Sequence, residues 1–596
     1  MMVWRQTIKA HPDMAAPENQ QKLFKFVWCL SLDDDDEASS IRCHLDCRLM
    51  FASRQYRSAL RAAICNRSAD DVKRNELKNA ELIWTLCEIL FMRPDDQSLS
   101  ADLADWAALN FTHCDQWVTD IAQFVQTTSQ KVDEHPKYWS TIYCLVLFGR
   151  LSDAVQLLAL HALHQTAAFQ SCRELLIKAP FNALDQAEEH SNNAWLLWQT
   201  ECRRRWEDNH FMTNPQIELI VRILSGDESV LQHLVANYTD LLNSWFEVAV
   251  PVALYCAPNV QLSDLQDLVQ IGIRIVGNGE ETPISRIIAH LFELDLVRAL
   301  KDLSEASHDW WLAAHLVDIL QKAGCDQLRD GYLNVSTSTA SVTGERCNLR
   351  TFIICEYAQT LVADQTLWPF CVEYFLCCGA RGRRLLELCL CRIPLTNQRR
   401  ALKLLAICDR YRLDDVKKSI YKQLVVTAMP CVNTAIGWSL QSGDPSLMCH
   451  VAQYALHQCN RRDLITTLQV LDHIHNDAAI SSASMLLLIK YREYHSLRAD
   501  PVTQRQACNV LIEMLMSGVA PRYFWAVLFE DLLEILNTNG KDKTSLDSTG
   551  IYELINCVEK YECVTELAGE VTKMSQTKNT TDRLRYVLLQ QLANVV

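Results

Sequence analysis

The residues best equipped for chemistry are the cysteines, of which the chain has 25. Cys377 and Cys378, followed by Cys389 and Cys391, resemble a thiolate set for zinc at first sight. Structural zinc sites pair their ligands as C-x2–4-C, and no two cysteines here are spaced C-x-x-C. The stretch Leu385–Cys391, LLELCLC, reads as an ordinary buried helix. Cys43, His44 and Cys47 mix imidazole and thiol, with Cys43 and Cys47 spaced C-x3-C, but they are not expected to hold a metal either. Carboxylates at Asp33–Asp36 offer oxygen ligands but lack the fixed turn of a calcium loop. Gly277-Asn278-Gly279 lacks the third glycine and the preceding strand of a dinucleotide loop. The chain has no phosphate-loop lysine motif, no G-x-S-x-G and no H-E-x-x-H. His315 lies on an apolar helix, where a histidine belongs to the core rather than to a ligand set. No catalytic, cofactor-binding or metal-ligating residue is expected, and no cofactor.

Composition explains the shortage of sites. Gly and Pro number 16 and 15 in 596 residues, each roughly 3% where about 7% and 5% are usual. Turns consume these residues, so the chain consists of long elements with few turns. Apolar residues recur at helical spacing, which predicts an all-α fold. Most cysteines, among them Cys87, Cys144, Cys389 and Cys408, fall inside these helices and act as small hydrophobes. The length and this placement argue against a secreted disulfide scaffold and for a reducing compartment. The net charge of −15 argues against a broad nucleic-acid surface, since basic clusters such as Arg203-Arg204-Arg205 are offset elsewhere by acids. No secretory leader is expected. No membrane span is expected either: the most apolar window, Val248–Val260, is broken by Pro251 and Pro258.

His135–Leu160 shows how the helices are organised. Trp139, Ile142, Tyr143 and Val146 mark one helical face, and Cys144, Leu145, Leu147 and Phe148 make the second half apolar nearly all round. Pro136 suits the first turn, Gly149 the left-handed end, and Ser152 with Asp153 the start of a second helix. Such a pair cannot bury both faces alone and needs another pair on each side, as in an α-solenoid. The remainder repeats the theme. Helices are predicted at Ala80–Met92, Pro215–Leu224, Leu231–Tyr255, Asp309–Lys322, Thr366–Cys378, Arg381–Arg392, Asp414–Ala428, Val432–Ser442, Asp463–Ile474 and Arg522–Leu536, among others. That makes roughly twenty helices joined by about two to eight residues each. Asp330–Asn348 and Asn537–Gly550 are polar loops.

Residues 1–40 differ. In Lys22–Leu32, Phe24, Phe26, Trp28, Leu30 and Leu32 alternate, a strand pattern, with a short amphipathic helix or a disordered tail as the alternatives. Three segments follow: 1–40, with this β candidate; 41–395, a helical trunk and crown; and 396–596, a helical tail.

Several stretches occur in an order that resembles the nucleoporin eighty-five (seventy-five) family, a scaffold subunit of the nuclear pore Y complex. They are AELIWTLCEILF at Ala80–Phe91, LVLFGRLSDA in the hairpin, DWWLAAHLVDIL at Asp309–Leu320, and EYAQTL with LWPFCVEYF at Glu356–Phe375. RIPLTNQRRALKLLAICDRY at Arg392–Tyr411, KYREYHSL at Lys490–Leu497, VAPRYFWAVLFEDLLEIL at Val519–Leu536 and IYELINCVEKY at Ile551–Tyr561 complete the set. The resemblance implies an ancestral coatomer element of trunk, crown and tail, without catalysis. It implies a place at the nuclear pore and nuclear envelope, support of mRNA export and protein import, and a mitotic location at kinetochores. Its implied partners are a Sec13-homologue β-propeller, completed by an N-terminal blade, and the other Y-complex nucleoporins at the hub. Fewer residues precede the first trunk helix here than in the family, so the expectation is a shortened form, a partial blade or a lost propeller contact; if the contact is kept, Phe24, Phe26, Trp28 and Leu30 are its candidates. Tyr523, Phe524 and Trp525 are the tail candidates for the hub. A scaffold of a related vesicle or lysosomal coat is the alternative the same fold allows.

Overall fold

The hairpin forms as expected. In a computed structural model, Tyr138–Leu147 is one helix and Leu151–Ala159 the next. Ile142 through Leu147 are fully buried, as the apolar circumference requires. Gly149 takes φ +76°, a backbone state that a side chain rarely tolerates. Two details differ from expectation. Pro136 precedes the helix, which begins at Tyr138. Ser152 is not the cap either: the second helix begins at Leu151, with Arg150 in the cap position. The Arg150 guanidinium pairs with Asp153 at 2.8 Å and also reaches Asp115. Charge-assisted bonds of this kind are stronger than a neutral serine cap.

The structure describes residues 23–24, 27, 40–65, 71–93, 98–128, 131–181, 189–238, 240–257, 260–277, 282–306, 310–325, 327–330, 332–333, 347–458, 482–498, 503–538, 548–568 and 574–595. The predicted helix Asp463–Ile474 and most of the loop 330–348 lie outside them. Contacts divide the chain into two compact units, up to Leu386 and from Glu387.

The first unit opens with α1 (Ser40–Ile64), α2 (Asp71–Phe91), α3 (Leu99–Asn110), α4 (His113–Thr128), α5 (Tyr138–Leu147), α6 (Leu151–Ala159) and α7 (Ala167–Ile177). After α8 (Glu189–Glu207) come α9 (Pro215–Leu224), α10 (Glu228–Asn237), α11 (Trp245–Pro251), α12 (Leu265–Val276), α13 (Pro283–Phe292), α14 (Leu296–Ala306) and α15 (Trp311–Lys322). The chain doubles back on itself. On the return, α9 packs on α5, α11 on α3, α13 on α2 and α15 on α1, the outward order reversed. Helices α1, α2, α3 and α5 thus each gain the second partner that an apolar face requires. The short α16 (Gln327–Asp330) and a two-residue antiparallel pairing of β1 (Tyr332–Leu333) with β2 (Cys347–Asn348) lead into α17 (Leu349–Ala363) and α18 (Cys371–Leu376). Next comes α19 (Gly379–Arg392), within which the units part. Gly382 is obligatory there, because a Cβ would stand 1.8 Å from the Phe375 carbonyl oxygen.

Buried polar groups tie the first unit together. Trp84 donates to Ser53 Oγ at 2.8 Å, Ser53 donates to Glu88, and Arg57 reaches Glu88 at 3.0 Å, joining α1 to α2. Arg350 Nε donates to Asp318 Oδ1 at 2.8 Å, joining α17 to α15.

Predicted and observed bounds coincide at Pro215–Leu224, Asp414–Ala428 and Val432–Ser442. The single helix expected over Leu231–Tyr255 is instead α10, α11 and a π-turn at Val252–Cys256. Pro251, which lacks an N–H, sits at that break and denies the helix a hydrogen bond. Thr366–Cys378 likewise resolves into a 3-10 turn at Trp368–Phe370 and then α18, with Pro369 in the turn. Among the described residues, no helix is long and apolar enough to cross a membrane.

The second unit continues as α20 (Gln398–Tyr411), α21 (Asp414–Ala428), α22 (Val432–Ser442), α23 (Pro445–Gln458), α24 (Ala483–Arg498), α25 (Gln504–Met516), α26 (Trp525–Thr538), α27 (Ser548–Ala568) and α28 (Met574–Val595). From α20 to α26 each helix packs on the next, and α28 covers α26 and α27.

Candidate partner-binding surfaces

Of the four N-terminal candidates, Phe24 lies within the described residues, and it is helical rather than extended. Leu23, Phe24 and Val27 are helical and buried. Positions 23, 24 and 27 share one face of a helix, and that face meets the first unit. The Phe24 ring lies 4.2 Å from Tyr374 and 5.9 Å from His315, centroid to centroid. Lys322 donates its ammonium to the Val27 carbonyl. Phe24 is therefore a core residue, not an exposed partner contact. Phe26, Trp28 and Leu30 lie outside the described residues.

His315 explains the pocket that receives Phe24. Its Nδ1 donates to the Trp311 carbonyl at 2.8 Å, which leaves Nε2 to accept from the Tyr374 hydroxyl at 3.0 Å. Burial pushes its pKa down to about 4, so the ring is neutral at neutral pH. Tyr56, Trp311 and Tyr357 pack around it. It is the core histidine that its apolar helix predicts.

The three tail candidates part company. Phe524 and Trp525 are buried: Phe524 packs on Tyr491, and Trp525 Nε1 donates to the Ala520 carbonyl at 3.0 Å. These two are internal, and the turn at Arg522–Phe524 rotates both inward. Tyr523 remains 43% exposed. Its ring stacks on His457 with 3.8 Å between centroids and 21° between planes. His457 in turn borders a groove of about 520 Å³ between α21 and α23. Val425, Val426 and Met429 form one wall, and Leu447, His450 and Tyr454 stand on the other. Val426 is 69% exposed, unusual for a residue on a helix-pair seam. A smaller recess of about 430 Å³ lies between Leu533 of α26 and Tyr586 of α28.

Cys377 and Cys378 sit side by side with sulfurs 3.9 Å apart, and both thiols donate to the Tyr374 carbonyl. Cys389 and Cys391 belong to the second unit. The side chains of Cys43 and His44 lie outside the described residues, whereas Cys47 is exposed. Sequence reasoning missed one cluster, in which His113, Cys114 and Cys144 hold their donor atoms within 4.8 Å of one another. The two cysteines are 30 residues apart, so no spacing motif marks them. The only local signal was a cysteine on the apolar face of each of two neighbouring helices.

A doubled-back stack of helices in the first unit and serially packed helices in the second define an all-α protein of the solenoid class. The Nup85 nucleoporin family matches residues 29–560, and the chain belongs to that family. It is 29% identical to the nuclear pore complex protein Nup85 of Xenopus tropicalis, over 92% of this chain and 84% of the relative. Against the human Nup85 it is 29% identical, over 88% and 79%. The nuclear pore complex protein Nup75 of Drosophila melanogaster is 23% identical, over 77% and 67%.

Proposed function

We propose that the protein is a structural, non-catalytic scaffold subunit of the nuclear pore complex, within its Y complex. There it supports pore assembly, mRNA export and nuclear protein import. The observation that carries this reading is the family match, which runs through both units from residue 29 to 560. The mechanism is geometric. Stacked helices hold separate surfaces at fixed places, and each surface takes a different neighbour. On this reading the tail docks the other Y-complex nucleoporins through Tyr523 and the groove beside His457. A Sec13-homologue β-propeller is the N-terminal partner, through main-chain pairing along its open edge. Because Phe24 is committed to the core, that contact falls to other residues, and Phe26, Trp28 and Leu30 are the side chains to test. The nuclear envelope is met only peripherally, and nucleic acid not directly.

Affinity purification of the tagged chain from nuclear-envelope extract, followed by mass spectrometry, tests the assignment. Recovery of Y-complex nucleoporins together with the propeller is the expected result. Recovery of vesicle-coat or lysosomal subunits instead overturns it. A Trp28→Ala/Leu30→Ala variant should lose the propeller and keep the hub; unchanged propeller recovery refutes that contact. Imaging the same tagged chain reads nuclear-rim and mitotic kinetochore location.

A further inference from the structure

We propose that His113, Cys114 and Cys144 form a structural zinc site in the first unit, with one imidazole and two thiolates as ligands. Cys114 stands in the first turn of α4 and Cys144 in the middle of α5. The three donor atoms lie within 4.8 Å of one another, and among the described residues no other set of three His, Cys, Asp or Glu side chains converges in this way. His113 Nε2 is 3.4 Å from Cys144 Sγ. In a tetrahedral site, a nitrogen about 2.0 Å and a sulfur about 2.3 Å from the zinc stand about 3.5 Å apart, so this pair already has the separation required. The imidazole is set edge-on to Trp117 and Phe148, which fixes the direction of its nitrogen. The Cα atoms of the two cysteines are 6.2 Å apart, close enough for both sulfurs to reach one ion at about 2.3 Å.

The structure joins the two sulfurs as a disulfide, and a disulfide and a zinc site are exclusive uses of the same two thiols. The compartment decides between them. Disulfides are rare in the cytosol and nucleus, where thiols stay reduced, and the relatives of this chain are nuclear pore complex proteins. The zinc site therefore rests on the reading of this chain as a pore protein too. Cys114 and Cys144 are 1% and 0% exposed, which closes them to reagents once the chain is folded. A structural metal needs no path through the finished structure, because the chain folds around it and both thiol protons leave as it binds. Charge selects the ion. Two thiolates cancel one Zn2+, and imidazole and water add nothing, so the cluster is neutral in an apolar interior; a monovalent ion would leave a buried negative charge. His113 is half-buried, so the cluster reaches the edge of the core, where a water completes the tetrahedron. Asp115 does not compete for that position, being paired with Arg150 at 2.5 Å. The ion ties the start of α4 to the middle of α5, two consecutive helices of the outward leg.

The test uses the full chain, purified anaerobically without chelator, with its zinc counted by plasma mass spectrometry. One zinc per chain is expected, held against EDTA while the chain is folded and released when it is unfolded. Cys114→Ser and Cys144→Ser should each lower the zinc content at least tenfold, whereas Cys377→Ser/Cys378→Ser should leave it unchanged. X-ray absorption at the zinc edge reads the ligands of the parent without any variant. Two sulfurs at about 2.3 Å and two lighter atoms at about 2.0 Å are expected. The proposal fails if zinc is absent, if its shell is all sulfur or has none, or if the Cys114 and Cys144 variants keep it. Alkylation at lysis separates this proposal from the pore reading. A Cys114–Cys144 disulfide in a chain that recovers Y-complex nucleoporins overturns the zinc site and leaves the pore reading standing. Zinc in a chain that recovers coat subunits instead upholds the site and overturns that reading.

Discussion

Two histidine–tyrosine pairs, one in each unit, show how the same chemistry serves opposite ends. His315 and Tyr374 meet in the interior through one hydrogen bond, with the rings of Phe24, Tyr56, Trp311 and Tyr357 packed around His315. His457 and Tyr523 meet face to face at the surface, beside an open apolar groove. The first pair has no conformational freedom left and closes the core around Phe24. The second retains one solvent-exposed face, which a partner can cover. Interior aromatic clusters hold this chain in shape, and surface aromatics are what it has left to offer.

Breaking the interior pair's surroundings should have the larger effect. Phe24 is fully buried against Tyr374, so Phe24→Ala opens a cavity that the α15–α18 wall cannot refill. The expected cost is about 3 to 5 kcal/mol, measured as a lower urea midpoint for the first unfolding transition. An unchanged midpoint would mean that the N-terminal segment leaves its pocket in solution.

Acid should sharpen the contrast next. His315 titrates at about 4 in the folded chain, against an ordinary 6.5. Between those values the unfolded chain binds more protons, so stability falls as the pH drops from about 6.5 towards 4 and owes nothing to this group above that window. The full effect is about 3 kcal/mol. Glu247, raised by burial to about 7, acts with the opposite slope, so the measurement is the difference between the parent and His315→Gln. The variant should lose the acid-side fall; parallel curves would show that the ring is not closed off from water.

The helices were legible because their signals are local. α21 and α22 begin and end where expected, and α22 stops at Gly443, which adopts φ +64°. The apolar circumference of Ile142–Leu147 announced its burial directly. The N-terminal segment was ambiguous because its apolar residues satisfy two periods. Phe24, Phe26, Trp28 and Leu30 alternate, while Leu23, Phe24 and Val27 share a helical face. The choice is made by His315 and Tyr374, some 300 positions away in the chain, and no local window contains them. The run Tyr523-Phe524-Trp525 posed the same difficulty on a smaller scale. Three adjacent aromatics point in different directions, and only the turn geometry decides that Tyr523 faces outward. Cys114 and Cys144 were hidden for a third reason: helix packing, not spacing, brings them together.

The surface pair should respond through binding rather than folding. Val426→Asp puts a charge on the wall of the groove where the parent has an exposed apolar side chain. A partner that buries Val426 must then desolvate that carboxylate, so recovery of the hub nucleoporins should fall at least about tenfold, or about 1.4 kcal/mol. Recovery equal to the parent would remove the groove from the proposed interface. Tyr523→Ala is the finest probe, because it removes one exposed ring and one stacking contact. Its stability cost should be only about 0.5 to 1 kcal/mol, read from the same urea titration. A cost near that of Phe24→Ala would mean that Tyr523 is structural after all and that the two histidine–tyrosine pairs do the same job. A small cost combined with weakened hub recovery would place Tyr523 among the contacts.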